Sequence, residues 1–305
     1  MRLGYSKHIL RQRHAVASLG GAALREWLAP APDGAQAPPP LPGPELSEQV
    51  PPPAASLVRD YLLHVGGDPD AYRGVLPPHL FLHWSLPLAA RTLRGLPYGL
   101  LRIVNAGCRI QVAAPLDAGA PLTVRAQLEG VADDGRRVAL HQRVVTGTDQ
   151  HPHAMIADLY TVIPSGGGAN RARTERAAAL RRAERQIPDG AREIARWSLP
   201  RGAGLAFAAL TGDFNPVHWV RPYARALGFS GTILHGFATL ARAWEGLARA
   251  RFAGAIDRLR VVDVRFLRPL LLPAEVGLYL WGSQFFVAGA AGARPYLAGS
   301  FEEAP

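Results

Sequence analysis

Twice along this chain, an apolar stretch of helical length is followed by a series of stretches in which apolar and polar residues alternate. The first helix candidate covers about 79–93, and alternating stretches follow at 100–112, 121–131, 137–146 and 154–163. The second covers about 235–250, with alternating stretches at 259–267, 275–281, 285–290 and 294–301. Alternation with a period of two marks a strand with one buried face, and an apolar run at helical spacing marks a helix that must be covered. One such helix followed by an antiparallel meander predicts an α+β unit in which a curved sheet wraps the helix. The order occurs twice, and residues 101–105 and 114–116 compare in detail with 259–263 and 272–274. We therefore read a duplication in which two sheets join edge to edge, removing exposed edges.

A length of 305 residues accommodates two such units with their own cores. Residues 29–55 contain two triple-proline runs, Pro38 to Pro40 and Pro51 to Pro53, which predict a linker or an extended arm, so 1–55 is set apart as a Pro-rich extension. The first 25 residues carry Arg2, Lys7, Arg11, Arg13 and Arg25 before any acid but lack the apolar core of a secretion signal, and are read as amphipathic. Ser165 and three following glycines close the first repeat, placed at 56–165. Residues 171–186, dense in Arg, Glu and Ala, predict a solvated helix within a 166–190 linker, and the second repeat is placed at 191–305.

Composition narrows the partners. The net charge is +10 with Lys7 as the one lysine, so the excess is arginine. Such a balance suits phosphate-bearing ligands, a membrane surface or nucleic acid, and equally a G- and C-rich codon usage. No basic strip interleaved with aromatics is present, which argues against specific nucleic-acid binding. The apolar stretch 261–281 is broken by Asp263, Arg265, Arg268 and Glu275, so no transmembrane segment is expected. The single cysteine, Cys108, excludes an internal disulfide framework and a Cys-based zinc site. Lying in an alternating run, it reads as a buried core thiol of a cytoplasmic protein.

The second repeat opens on a segment unlike anything in the first: Gly212-Asp213-Phe214-Asn215-Pro216-Val217-His218, then Ser230-Gly231-Thr232-Ile233-Leu234-His235-Gly236-Phe237. Gly212 and Asn215-Pro216 mark a tight, irregular loop carrying two titratable groups, Asp213 and His218. A loop that turns a carboxylate and an imidazole toward one point is equipped to move protons. Gly236 opens the apolar helix, where a backbone N–H is accessible and the helix dipole favours developing negative charge. Taken singly, each piece also suits a structural task, such as Asp213 capping a turn or His235 packing at a helix start.

Together these residues resemble the hydratase motif of the MaoC-like dehydratase family, the (R)-specific enoyl-CoA hydratases of the hydratase 2 type. The signature there is Gly-Asp-x-Asn-Pro-x-His, a small residue six positions on (here Ala224), and an Ile-Leu-His-Gly helix start. Thr232 departs from the proline often found in the family. The strong match covers about 40 residues, from Ala209 to roughly Leu247, and the element order extends a weaker one over most of the chain after residue 55. The resemblance implies a double hot-dog fold. It also implies that Asp213 and His218 hold a water and add it across, or remove it from, the double bond beside a thioester carbonyl. Asn215 would orient the loop, and the Gly236 N–H would bind the thioester oxygen. Phe214, His235, Phe237 and Trp84 are the expected substrate contacts, with His235 also holding the helix start. Phe81, Trp84 and Leu88, at helical spacing, suit either an acyl tunnel or plain core. No metal and no cofactor is implied beyond the coenzyme A or acyl-carrier pantetheine of the substrate. The expected partners are thus an acyl-CoA or acyl-carrier thioester and, for a fold of this kind, a second copy in a homodimer.

The first repeat departs from the motif. Gly67-Asp68-Pro69 has a faint likeness to Gly212-Asp213, but Arg73 stands five after Asp68 and Leu80 follows His79, so this repeat is expected to lack a catalytic centre. His151 and His153 lack a third metal ligand nearby. Two other activities suit the same fold: a thioesterase, and a non-catalytic acyl-binding subunit.

Overall fold

The computed structural model describes residues 5–9, 40–98, 103–135, 137–164 and 186–304. The Pro-rich residues before 40 and nearly all of the expected 171–186 helix lie outside these. In chain order the elements are α1 (Ser6–Ile9), β1 (Leu46–Val50), α2 (Ala55–Val65), α3 (Leu82–Arg91), β2 (Val104–Val112), β3 (Leu122–Asp133), β4 (Arg137–Gly147) and β5 (Met155–Pro164). Then come β6 (Arg192–Leu199), α4 (Ala203–Thr211), α5 (Arg221–Ala226), β7 (Ile233–Leu234) and α6 (Gly236–Phe252). The last strands are β8 (Leu259–Phe266), β9 (Leu270–Leu271), β10 (Ala274–Trp281), β11 (Gln284–Ala288) and β12 (Leu297–Glu303).

Ten strands form one antiparallel sheet in the order β1-β3-β4-β5-β2-β8-β12-β11-β10-β6. Read outward from the middle, the two halves are the same sequence of strands, β2-β5-β4-β3-β1 and β8-β12-β11-β10-β6. The duplication expected from the sequence is therefore visible in the pairing itself. β2 and β8 form the seam, with Gly107 opposite Arg265 and Ile110 opposite Val262. Joining removes two of the four sheet edges, while β1 and β6 remain as the outer ones.

β1 corrects an expectation. Residues 46–50 fall inside the stretch read as a Pro-rich arm, yet they pair with β3 from Leu46–Ala126 to Val50–Leu122. Proline bars sheet pairing only where its missing N–H is needed, and the five residues of the strand itself, 46–50, contain none. The first repeat thus begins with this strand, the counterpart of β6. The start of the chain is also engaged. His8, on α1, is fully buried, and its Nε2 lies 2.7 Å from Asp60 of α2.

Both repeat helices lie on one face of the sheet, α3 against β3, β1 and β4, and α6 against β6, β8 and β12. Every residue of α6 from Phe237 to Ala248 is buried. The alternation read in the sequence is the core pattern: Leu122, Val124, Ala126 and Leu128 of β3 face inward, as do Val138, Leu140 and Val144 of β4. Cys108 is fully buried, and burial pushes its thiol well up from its ordinary value. α4, apolar on nearly all sides, is buried between the repeats. One apolar cluster runs through both halves, so the two repeats share a core.

At the seam, a Cβ on Gly107 would lie 2.5 Å from the Val264 carbonyl oxygen. Gly107→Ala is expected to destabilise the whole chain by about 1–3 kcal/mol, the usual cost of overpacking, because the clash is with main chain that cannot rotate away. Urea denaturation should show the loss as one cooperative transition. Unchanged stability would mean that the seam is not a tight junction.

Candidate active site

α4 ends at Gly212, whose left-handed φ of 87° turns the chain away while its N–H closes on the Ala208 carbonyl at 2.8 Å. The Asp213 carboxylate accepts from the Asn215 N–H at 3.4 Å. The Asn215 side chain accepts from the Val217 N–H at 3.2 Å, capping a 3-10 turn over Pro216–His218. These bonds fold the loop so that His218 faces back toward Asp213. The imidazole is then fixed from the other side, since Nδ1 lies 2.9 Å from the Ile233 carbonyl. A carbonyl only accepts, so Nδ1 carries the hydrogen and Nε2 keeps its lone pair.

His235 completes the group. It is 1% exposed, and its Nε2–H donates to the Asp213 carbonyl at 3.0 Å, with an Asp213 carboxylate oxygen 3.9 Å away. Its ring stacks on His218 with centroids 3.5 Å apart and planes 25° from parallel. Nitrogen and carboxylate atoms of Asp213, His218 and His235 all lie within 4.8 Å of one another. Burial lowers the basicity of His218, against the pull of Asp213 and the bond to Ile233. Burial, then the neighbouring His218, holds His235 well below the ordinary imidazole value. Both rings are thus neutral at pH 7, which gives His218 the form a base needs. The three residues have the chemistry of a metal site, but stacked imidazoles aim their lone pairs along nearly parallel planes and the His235 Nε2 already faces a carbonyl. That geometry does not converge on one ion.

Gly236 begins α6, where the first N–H groups of a helix have no partner within it. The Phe266 ring fills the place where a Cβ would stand, 2.8 Å from its nearest carbon, so only glycine fits. Of the expected contact residues, Phe214 sits in the loop beside Asp213 and is half-buried. Phe237 is buried between Phe81 and Phe266, at centroid distances of 5.7 and 5.4 Å. His235 lies beneath His218, in a supporting position. Trp84 is not brought to this group: it is buried in the core of the first repeat, with its indole N–H on Thr146 at 3.1 Å.

The first repeat holds a counterpart that the sequence alone aligned one residue out. Gly66 ends α2 with a φ of 86°, as Gly212 ends α4, and Asp68 caps the 3-10 turn over Pro69–Tyr72 as Asn215 caps its own. Gly67 therefore stands where Asp213 stands, and a Cβ there would lie 2.8 Å from the carboxyl carbon of Glu245. Glu245, on α6, fills the vacated space. Its Oε1 accepts from the Tyr72 hydroxyl at 2.7 Å and lies 2.8 Å from His79 Nε2, and the Tyr61 hydroxyl is 3.0 Å from His79 Nδ1. Sequence reading missed this buried network. The signal was present, because Arg242 and Glu245 are charges within the buried stretch 237–248 of the helix. Burial pulls the Arg242 guanidinium down to about 10.

With this geometry in view, comparison with known proteins adds kinship. The sequence profile of the MaoC-like domain matches residues 198–287, a span holding the loop, Ile233, His235, Gly236 and α6. Residues 198–287 are a MaoC-like domain. Over 74 residues, 24% of this chain, the sequence is 40% identical to 3-hydroxyacyl-thioester dehydratase X of Mycobacterium tuberculosis. Over 187 residues, 61% of the chain, it is 22% identical to the mouse (Mus musculus) peroxisomal multifunctional enzyme type 2. Each aligned stretch spans 25% of the relative's own length. The crystal structure of HtdX from Mycobacterium tuberculosis superposes with a TM-score of 0.65 at 21% identity, over 85% of this chain and all of that one. A Mycobacterium tuberculosis protein described as having a double hotdog fold superposes at 0.56 and 12% identity, over 86% of this chain and 96% of that one. The fold is thus the double hot-dog, as the sequence motif implied.

Two predictions follow from the buried polar groups. Burial holds His64 at about 3 and His83 at about 4, and lowers His218 and His235, whereas all four titrate near 6.5 when unfolded. The folded state therefore binds fewer protons. Stability is full above pH 6.5 and falls as the pH drops toward the folded values, by at most about 1.4 kcal/mol per pH unit for each imidazole. Thermal melts from pH 7 to pH 4.5 should show a steep fall in Tm, and a flat profile would contradict neutral burial. Glu245→Leu leaves Tyr72 and His79 with buried, unpartnered donors and should cost about 1–3 kcal/mol by urea denaturation.

Proposed function

We propose that this chain interconverts a trans-2-enoyl thioester and water with the (R)-3-hydroxyacyl thioester. The observation that carries the reading is the orientation of His218, whose Nδ1–H is spent on the Ile233 carbonyl so that Nε2 faces the space shared with the Asp213 carboxylate. In the hydration direction, a water lies between the two groups. Its oxygen bonds to the β-carbon of the enoyl chain as one O–H breaks, and the His218 Nε2 takes that proton. The α-carbon gains a proton from the Asp213/His218 pair, so the sum is one water added. Negative charge that develops on the thioester oxygen is met by the Gly236 N–H at the positive end of α6. Dehydration is the same path reversed. His235 supports both members at once, bonded to the Asp213 carbonyl and stacked under the His218 ring. The name of one relative, a 3-hydroxyacyl-thioester dehydratase, is consistent with acyl-thioester chemistry of this kind.

Several features add to the reading. The chain's own residues supply the acid, the base and the oxyanion donor, so the proposal calls on no metal or redox cofactor. Among the described residues no helix is long and apolar enough to cross a membrane. A thioesterase reading would draw on the carboxylate of the long helix, but Glu245 gives one oxygen to two buried donors.

Asp213→Asn and His218→Gln are each expected to lower hydration of crotonyl-CoA at least 10²-fold with an unchanged melting temperature. The absorbance loss of the enoyl thioester reports the rate, chiral analysis should give the (R) product, and no free thiol should appear. Near-normal turnover by Asp213→Asn would overturn the assignment. For His235, Gln retains a donor at the Nε2 position while Phe retains only a ring, so His235→Gln should keep markedly more activity than His235→Phe.

A further inference from the structure

The buried network of the first repeat reaches open space at one point. Glu245, Ala248 and Arg249, in the second half of α6, line a cleft of about 390 Å³. Asp68 and Ala71 of the first repeat's loop border it, and the turn that ends α6 closes it through Ala253 and Ile256. None of these residues belongs to the Asp213/His218 group. Glu245 is only 5% exposed, and its Oε1 is occupied by the Tyr72 hydroxyl and His79 Nε2. Its Oε2 has no hydrogen-bond or ion-pair partner among the described residues, yet it is not among the buried polar atoms sealed off without one. The carboxylate thus meets the cleft through Oε2. A Cβ on Gly67 would stand 2.8 Å from that oxygen, so the glycine keeps it uncovered.

We propose that this cleft binds a primary ammonium group carried on a slim aliphatic chain, as a ligand site separate from the hydration reading and independent of it. A carboxylate oxygen only accepts, so whatever satisfies Oε2 must donate, and a charged donor makes the strongest bond to a carboxylate held out of water. Asp68 sets a second carboxylate at the border of the same cleft, one of its oxygens taken by the Asp70 N–H at 2.9 Å. The one cation in the lining, Arg249, gives an N–H to the Gly66 carbonyl and pairs with neither acid. Two carboxylates against one guanidinium leave the cleft negative, which favours a cation over an anion. The rest of the wall, Ala71, Ala248, Ala253 and Ile256, offers hydrocarbon surface to the chain that carries the charge.

The geometry also selects among cations. A guanidinium pairs best with both oxygens of a carboxylate through its planar fork. Oε1 of Glu245 already serves two donors, which leaves a single oxygen and suits the compact, freely rotating donors of an ammonium. A quaternary ammonium carries no N–H and cannot satisfy Oε2. A divalent ion takes about six oxygen ligands or more, and among the described residues no third acid joins Asp68 and Glu245 around the cleft.

The test is calorimetric titration of the full chain at pH 7 with n-butylammonium, n-butylguanidinium, tetramethylammonium and n-butanol. The wild type should bind n-butylammonium saturably at one site, and the other three at least about tenfold more weakly, since each lacks the charge, the N–H or the shape that Oε2 requires. In Glu245→Gln the amide oxygen can keep Tyr72 and His79 while an NH₂ replaces Oε2, so the variant should fold and bind n-butylammonium at least about tenfold more weakly. Its melting temperature and circular dichroism establish the fold. Asp68→Asn, an exposed change outside the buried network, should weaken binding about threefold, and less as salt rises. No saturable binding of n-butylammonium by the wild type at millimolar concentration overturns the proposal. So does binding that Asp68→Asn and a folded Glu245→Gln leave unmoved, which would place the amine elsewhere. If Glu245→Gln does not fold, Asp68→Asn decides alone. Equal affinity for n-butylguanidinium would overturn the choice of an ammonium.

Discussion

The pairing of β2 with β8 is the contact on which the rest depends. It turns two five-stranded sheets into one, sets α3 and α6 on the same face, and brings α2 and α4 together across the junction. α6, with twelve consecutive buried residues, needs cover from both halves. The close approach of Gly107 to the Val264 carbonyl shows how tightly that junction is drawn.

From this shared frame the two repeats diverge at one loop. Both run from a left-handed glycine through a capped 3-10 turn to a buried histidine at the entry of the main helix. In the second, a carboxylate rises from the loop beside a neutral imidazole. In the first, the loop residue is Gly67, and a carboxylate arrives instead from α6, where Tyr72 and His79 saturate one of its oxygens. Similar backbone therefore supports a candidate proton-transfer site in one place and a buried polar tie between repeats in the other. What separates them is which element donates the acid.

Much of this was legible in the sequence, for identifiable reasons. The strands announced themselves because one face of each is buried, which enforces a period of two, and the Asp213/Asn215/His218/Gly236 grouping was legible because tight turns and helix starts require particular residues at fixed offsets. β1 was hidden by the prolines that flank it, and α2 and α4 by the absence of a polar face or by their short length. The Gly66 and Gly212 equivalence was hidden because the first loop is one residue shorter, so that matching letters placed Asp68 against the wrong position. Glu245 stood out as a charge in an apolar stretch, but its partners were hidden because they lie more than 160 residues away, and long-range contacts leave no local period. The support of His218 by Ile233 could not be seen at all, since a carbonyl carries no side-chain signature.

That last contact sets the limits of variation at the site. The tautomer of His218 is selected by main chain, on the two-residue ribbon of β7 with β9. In many proton-transfer sites a second side chain performs this task, and a single codon change can remove it. Here no substitution at position 233 deletes the acceptor. The ring can be disarmed only by altering the histidine itself or by displacing the ribbon, so the protonation state is inherited with the fold, and drift among neighbouring side chains leaves it intact.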